Sequence, residues 1–177
     1  MSEQLPGFNP NQLGQRFAAL GAELATKQDA EELAALINEG FSYQDADRGR
    51  PRVTAEELRE RINEDPFYVI KDSGKITATV TTYPDTASLL HFGLLVVAEQ
   101  KRGQGLGEKL VRAVEETAEA QGYAGVSLGY FVAAPQLEAY YERLGYEIKG
   151  ENYMWENLEV VNMVKLFQAK HEDAGSV

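Results

Sequence analysis

Apolar positions follow two rhythms along this chain of 177 residues. After Thr26-Lys27-Gln28-Asp29, apolar side chains return at Ala30, Leu33, Ala34 and Ile37, the spacing of one face of a helix. Thr26 and Asp29 form a capping-box pattern at its start, and Gly40 is the expected stop. A second capping box, Thr54-Ala55-Glu56-Glu57, opens a helix that turns Leu58 and Ile62 inward, and Pro66 closes it. From Phe67 the rhythm shortens to that of strands. Phe67 to Lys71 and Lys75 to Tyr83 flank Asp72-Ser73-Gly74, which predicts a hairpin. Leu89 to Val97 is apolar almost throughout and predicts a central strand buried on both faces. Ala22 to Ala25 reads as a short first strand.

The next junction differs from the others. Arg102-Gly103-Gln104-Gly105-Leu106-Gly107 follows the apolar strand directly and leads into a helix running to about Gln121. Leu106, Leu110, Val111, Val114 and Ala118 form its inner stripe, opposite Glu108, Arg112, Glu115 and Glu119. Gly122 ends it. Val126 to Val132 is another strand, Pro135 starts a short helix that Gly145 caps, and strands near Tyr146 to Glu151 and Leu158 to Phe167 follow. The order is that of an α/β fold, a mixed sheet of about seven strands with helices on both faces. We divide the chain into an N-terminal extension (1–21), a single domain (22–169) and a polar tail (170–177).

Composition narrows the chemistry. There is no cysteine, which removes thiolate nucleophiles and cysteine-ligated zinc, and only His91 and His171 are histidines, so no metal site is expected. A net charge of −11 disfavours nucleic acid as a partner. No apolar run is of membrane-spanning length, and the first residues lack a signal-peptide pattern, so the expected location is the cytoplasm.

Alternating glycines at the head of a helix let a ligand approach the backbone, and the unpaired N–H groups of the first turn favour an anion such as phosphate. Arg102 adds positive charge. A purely structural tight turn is the alternative. A Walker loop needs Lys-Ser or Lys-Thr after the last glycine, where this chain has Glu108. The Rossmann spacing and its acidic residue are missing too.

With the strand before it, the stretch from Leu94 to Leu110 resembles the first signature of the GNAT superfamily of acyl-CoA N-acyltransferases, Arg/Gln-x-x-Gly-x-Gly/Ala after a hydrophobic strand. Tyr140-Tyr141-Glu142-Arg143-Leu144-Gly145-Tyr146 resembles the second. Glu99 stands where the family often has proline. The resemblance covers roughly Ala22 to Phe167. It implies a mostly antiparallel sheet, split in a V between the fourth and fifth strands, and acetyl-CoA as co-substrate. Carried over, the backbone of Leu95, Val96 and Val97 pairs with the pantetheine arm, and an N–H near Val96 faces the thioester oxygen. The backbone of Arg102, Gly103, Gln104, Gly105, Leu106, Gly107 and Glu108 holds the pyrophosphate. Tyr141 protonates the departing thiolate.

The resemblance supplies no general base. Some members carry a glutamate and an asparagine where this chain has Gly129 and Ala134. His91 is the next candidate, with Asp85, Glu99 and ordered water behind it; a hydrogen-bonded core histidine is the competing reading. In similar proteins the loop between the first two helices walls the acceptor site. Here Arg48, Arg50 and Arg52 in that loop are candidates to receive an acceptor anion, or else simply offset Asp45, Asp47 and Glu56. Tyr43, Tyr130, Phe131 and Tyr153 are candidate lining for an apolar or aromatic acceptor, with a place in the core as the equal alternative for each. The expected acceptor is a small-molecule or peptide amine, and a homodimer is a further arrangement seen among relatives. The rival reading is a coenzyme A-binding sensor or regulatory protein without transfer activity. A third, an interaction module, would bind no coenzyme A.

Overall fold

In the computed structural model, residues 7–46, 48–85 and 88–168 are described. The polar tail and His171 lie outside them. The helices are α1 (Gln15–Ala19), α2 (Ala30–Phe41), α3 (Ala55–Arg61), α4 (Leu106–Ala120) and α5 (Gln136–Arg143). The strands are β1 (Ala22–Leu24), β2 (Phe67–Asp72), β3 (Lys75–Pro84), β4 (Leu89–Val97), β5 (Gly125–Phe131), β6 (Glu147–Ile148), β7 (Tyr153–Trp155) and β8 (Leu158–Leu166). They form one mixed α/β sheet in the order β1-β2-β3-β4-β5-β8-β6, with β7 also paired to β8. Every pairing is antiparallel except β4 with β5.

Both capping boxes form. Thr54 Oγ1 accepts the Glu57 N–H at 3.2 Å, and the Glu57 carboxylate accepts the Thr54 N–H at 2.8 Å. At the first box a 3₁₀ turn precedes α2. Ser73 and Gly74, both at positive φ (52° and 80°), make the tight β2–β3 turn that the right-handed twist of a hairpin favours. One expected stop is corrected: α2 runs through Gly40. A Cβ there would stand 2.5 Å from Val96 Cγ1, so this glycine serves close packing of α2 on β4 rather than termination.

Two cores lie on either side of the sheet. α2 and α3 bury Leu33, Ile37 and Leu58 against Phe67, Val69, Ile76 and Val96. On the other face α1, α4 and α5 cover Tyr68, Val80, Leu90, Phe92 and Leu128. The residues before Ala22 contribute to this second core: Phe17 on α1 is wholly buried, its ring stacked 3.8 Å from that of Tyr68. A helix of this length is too short to leave a periodic signature. β7 is the other unmarked element and makes eight strands of the expected seven. It is a short hairpin arm turned by Glu156 at φ 54°.

The feature that creates the site is the parting of β4 from β5. They pair only over Leu89–His91 with Gly125–Ser127 and then diverge, giving the V-shaped split. Beyond the fork, Leu94 and Leu95 together oppose Val80 in a bulge, with Leu94 at φ 50°. The extra residue reverses the facing of the strand. Leu90 and Phe92 point to the α4 face, whereas Val96 packs under α2. β4 is therefore not buried on both faces throughout; His91, Gly93, Leu94, Leu95 and Val97 are partly exposed because they border the open split.

Candidate functional site

The split opens into a cleft of about 710 Å³. Its floor is the diverging segments of β4 and β5, and its walls come from the α2–α3 loop, α5 and the β7 arm.

At one end stands the glycine-rich turn. Gly103 and Gly105 have φ of 77° and 76°, where any side chain is strained, and Gly105 is the N-cap of α4. The Arg102 N–H is taken by the Glu99 carbonyl at 3.2 Å, and the Lys109 N–H by the Gly105 carbonyl at 3.1 Å. Between them, the N–H groups of Gly103 through Glu108 have no partner among the described residues. That row of donors at the positive end of a helix dipole fits a pyrophosphate. Arg102 itself donates from Nε to the Val97 carbonyl at 3.0 Å, so it braces the turn onto β4. A second hollow, about 460 Å³, adjoins Gly105 and Glu108 and is lined also by Arg16, Lys109 and Arg112. The Glu108 carboxylate lies 3.6 Å from Arg112, leaving its backbone N–H as the part of Glu108 suited to an anion.

The edge of β4 sharpens one expectation. The Ala98 N–H donates to the Thr77 carbonyl at 2.8 Å, and Val97 and Val96 pair opposite Ala78 and Thr79. Polar groups alternate along an antiparallel strand, so Val97 directs its N–H and C=O away from β3 and into the split, and Val96 directs its own at β3. The Arg102 bond to the Val97 carbonyl agrees with this. The donor near the split is thus offered by Val97 and the bulged Leu95, not by Val96, whose side chain packs under α2.

Tyr141 on α5 forms part of the cleft wall, 7% exposed, within an aromatic group of Phe92, Tyr140 and Tyr146. Burial pushes its hydroxyl far above the ordinary tyrosine value, so it holds its proton at neutral pH. That hydroxyl makes no hydrogen bond among the described residues. Tyr130 lies on the same face of the sheet and donates to Glu138 Oε2 at 3.0 Å.

On the opposite face, His91 and Ser127 sit side by side at the fork. His91 Nδ1 is 2.9 Å from Ser127 Oγ, and Ser127 donates to Asp85 Oδ2 at 2.9 Å. The serine has one proton and gives it to the carboxylate, so its oxygen accepts from His91 Nδ1–H. This fixes the tautomer and leaves Nε2 with a free lone pair. Burial lowers the His91 pKa to about 4, against a smaller upward pull from Asp85, so the ring is neutral at physiological pH. Glu99, by contrast, is exposed on the short 3₁₀ turn before Arg102 and is not among the residues that line the cleft. Ser127 is not legible in the sequence as a site residue, since only strand register brings it to His91.

Tyr43, Tyr130, Phe131 and Tyr153 all line the cleft, joined by Tyr83 and Trp155. A Cβ at Gly129 would lie 3.1 Å from the Tyr153 hydroxyl and 2.9 Å from Val160 Cγ1, so the β7 arm occupies the space of a side chain on β5. Ala134 is wholly buried after β5. The three arginines of the α2–α3 loop already have partners. Arg52 makes two hydrogen bonds to the Asp45 carboxylate (2.6 and 2.9 Å) and stacks on Phe41 and Phe131. Arg48 reaches Glu156 at 2.7 Å and Asp45 at 3.5 Å and lies over Trp155. Arg50 pairs with Glu156 and, at 3.7 Å, with Glu57. Of the three, Arg52 alone lines the cleft. Their partners are Asp45, Glu57 and Glu156 rather than Glu56; Asp47 is outside the described residues.

Comparison with known proteins agrees with this architecture. Residues 37–167 match the family model described as an acetyltransferase (GNAT) domain. N-acetyltransferase 8 of Rattus norvegicus is 34% identical over 93 residues, half of this chain but 42% of that protein, so the match spans less than half of the relative. Among solved structures, a ribosomal-protein-alanine N-acetyltransferase from Brucella melitensis superposes with a TM-score of 0.66 at 20% identity, over 82% of this chain and 99% of that one. A GNAT family acetyltransferase from Elizabethkingia anophelis, solved with acetyl-CoA bound, gives a TM-score of 0.53 at 17% identity over 63% of this chain and 82% of that one.

Proposed function

This chain belongs to the GNAT acetyltransferase family, and from that premise we propose that it is an N-acetyltransferase moving an acetyl group from acetyl-CoA to a primary amine by direct attack within a ternary complex. The observation that carries the reading is the fork between β4 and β5, with backbone donors unpaired among the described residues at one end and the neutral His91 imidazole at the other. Acetyl-CoA would supply an activated acyl group as its thioester. The N–H groups of Gly103 through Glu108 would hold its phosphates. The edge of β4 at Leu95 and Val97, whose Val97 carbonyl is already taken by Arg102, would hold the extended arm through its N–H groups and give one of them to the thioester oxygen.

An acceptor amine enters from the α2–α3 side of the split. As its nitrogen bonds to the acyl carbon it becomes acidic, and His91 Nε2 takes the proton while Ser127 and Asp85 hold the ring. The carbon–sulfur bond breaks, and Tyr141, on the other wall, gives its hydroxyl proton to the sulfur. Two groups with opposite protonation states, each set by burial, thus flank the reaction centre.

The test is free-thiol release from acetyl-CoA over an amine panel, beside calorimetric measurement of coenzyme A binding. Tyr141→Phe is expected to lower kcat by about 100-fold, a usual magnitude for a lost general acid, with the acetyl-CoA Kd unchanged. Full activity of that variant across pH would remove the assignment, and binding without any amine-dependent thiol release would return the chain to the sensor reading.

A further inference from the structure

The acceptor side of the cleft has a composition of its own. Its strand floor carries Gly93 on β4 and Gly129 on β5, each two residues past the fork pair His91 and Ser127. A Cβ at Gly93 would meet nothing within 4 Å, and Gly129 is bare beneath the Tyr153 hydroxyl. The floor is therefore open backbone at Gly93, while over Gly129 it is covered by the Tyr153 hydroxyl and Val160. The sides are rings: Phe41, Tyr43, Tyr83, Phe131, Tyr153 and Trp155. Phe131 and Trp155 are stacked, with planes 18° apart, and Tyr83 leans on His91 at 4.8 Å. Arg48 stacks over Trp155, and Arg52, itself part of the cleft lining, stacks over Phe41 and Phe131.

Charge on this side is already balanced. The cations lining it are Arg52, held by Asp45, and Arg61, 3.6 Å from Asp65. A carboxylate on the acceptor would have to displace a buried or half-buried partner to be recognised. The Arg48–Glu156 and Arg50–Glu156 pairs join the α2–α3 loop to the β7–β8 turn, bridging the two elements that flank the slot. Such a bridge suits a compact acceptor and opposes an extended peptide.

Resting on the acyl-transfer reading, we infer that the acceptor is an arylalkyl primary amine without a carboxylate, its ring held in the slot over Gly93, beside the Tyr153 side chain that covers Gly129, between the Tyr83/Tyr153 and Phe131/Trp155 walls. The ring gains offset or edge contacts with at least two side chains, and the nitrogen extends along the floor toward His91. Tyr153 sets the width of the slot, and Gly129 is the residue that lets it lie there.

The chain supplies its own reporter, because Trp155 is its single tryptophan and stands in that wall. With coenzyme A present, tryptophan emission is titrated with 2-phenylethylamine, n-butylamine, spermidine, phenylalanine and a short peptide. The expected result is that 2-phenylethylamine binds about tenfold or more tighter than each of the others, the scale set by burying one ring in an apolar pocket. Tyr153→Ala should abolish that preference without altering coenzyme A binding. Gly129→Ala, which pushes Tyr153 out of the slot, should weaken it. Tyr153 is 46% exposed, so its replacement leaves folding intact if Gly129→Ala does not. Equal or tighter binding of spermidine, phenylalanine or the peptide overturns the inference, as does a preference that survives in Tyr153→Ala. The titration reads binding alone. A protein that releases no thiol would therefore lose the acyl-transfer reading while this class assignment was still decided.

Discussion

The two ends of the cleft handle charge in opposite ways. At the glycine turn the donors from Gly103 through Glu108 have no partner among the described residues, and Gly103 and Gly105 hold positive φ angles that glycine adopts cheaply. In the α2–α3 loop, a much denser cluster of formal charge, the guanidiniums of Arg48, Arg50 and Arg52 are taken up by Asp45, Glu57 and Glu156 and by aromatic faces. A count of cations in the sequence would place an anion site at the loop. The structure places unsatisfied donors at the turn, where the sequence carries little net charge. Availability is decided by partners, and partners are a property of the fold.

The largest expected effect breaks the loop side of this comparison. Asp45 is 8% exposed between Arg52 at 9% and Arg48 at 2%. Asp45→Ala leaves two buried guanidiniums short of a carboxylate and is expected to cost about 3–4 kcal/mol of stability, the scale of a broken buried pair. Denaturant unfolding measures it. The affinity for coenzyme A should hardly change, since the turn is built from other elements; a parallel loss of affinity would show that the two ends are not independent.

Burial of His91 gives the next effect. Because burial lowers the His91 pKa from 6.5 to about 4, the unfolded chain binds more protons than the folded one between those values. Stability is then complete above about pH 6.5 and falls as the pH drops toward 4. The loss is about 3 kcal/mol, since each pH step between the two values removes ~1.4 kcal/mol. Thermal unfolding as a function of pH should show this fall in the native protein beyond whatever His91→Gln shows. Equal pH profiles in the two proteins would mean that His91 is not the buried neutral imidazole that the Ser127–Asp85 chain describes.

At the other end, Gly105→Val tests the turn itself. A β-branched side chain at φ 76° strains the backbone and stands beside the free N–H row. Coenzyme A binding should weaken about 100-fold, equivalent to roughly 2.7 kcal/mol. Calorimetry measures it, with melting temperature as the control for folding. An unchanged Kd would leave the turn a tight connection and nothing more.

The difference between the ends also explains what the sequence discloses. Arg102 through Gly107 and the capping boxes at Thr26 and Thr54 are local devices, each complete within a few residues, and their conformations follow from residue type. The fork is accessible only through resemblance, because nothing in Leu89–Val97 marks where β5 leaves it. Ser127 meets His91 by register across strands 36 residues apart in sequence. Glu156 meets Arg48 over 108 residues. β7, three residues of a hairpin arm with two aromatics, looks in sequence like the loop around it. Gly40 reads as a stop because a glycine needed for close approach and one that ends a helix look alike until the opposing Val96 is known.

The smallest effect is the sharpest separation between formal charge and function. Arg50 is 46% exposed and shares Glu156 with the buried Arg48, so its pairs lie in water-accessible surroundings. Exposed pairs contribute little, because solvent screens them and two long side chains lose freedom in making them. Arg50→Ala is expected to move the melting temperature by less than about 2 °C. The Km for an uncharged-tail amine should stay within about twofold. If instead Arg50→Ala raised the Km selectively for acceptors bearing a carboxylate, Arg50 would be exchanging Glu156 for substrate. The loop would then be a charge-reading site after all, and the contrast with the glycine turn would be one of degree.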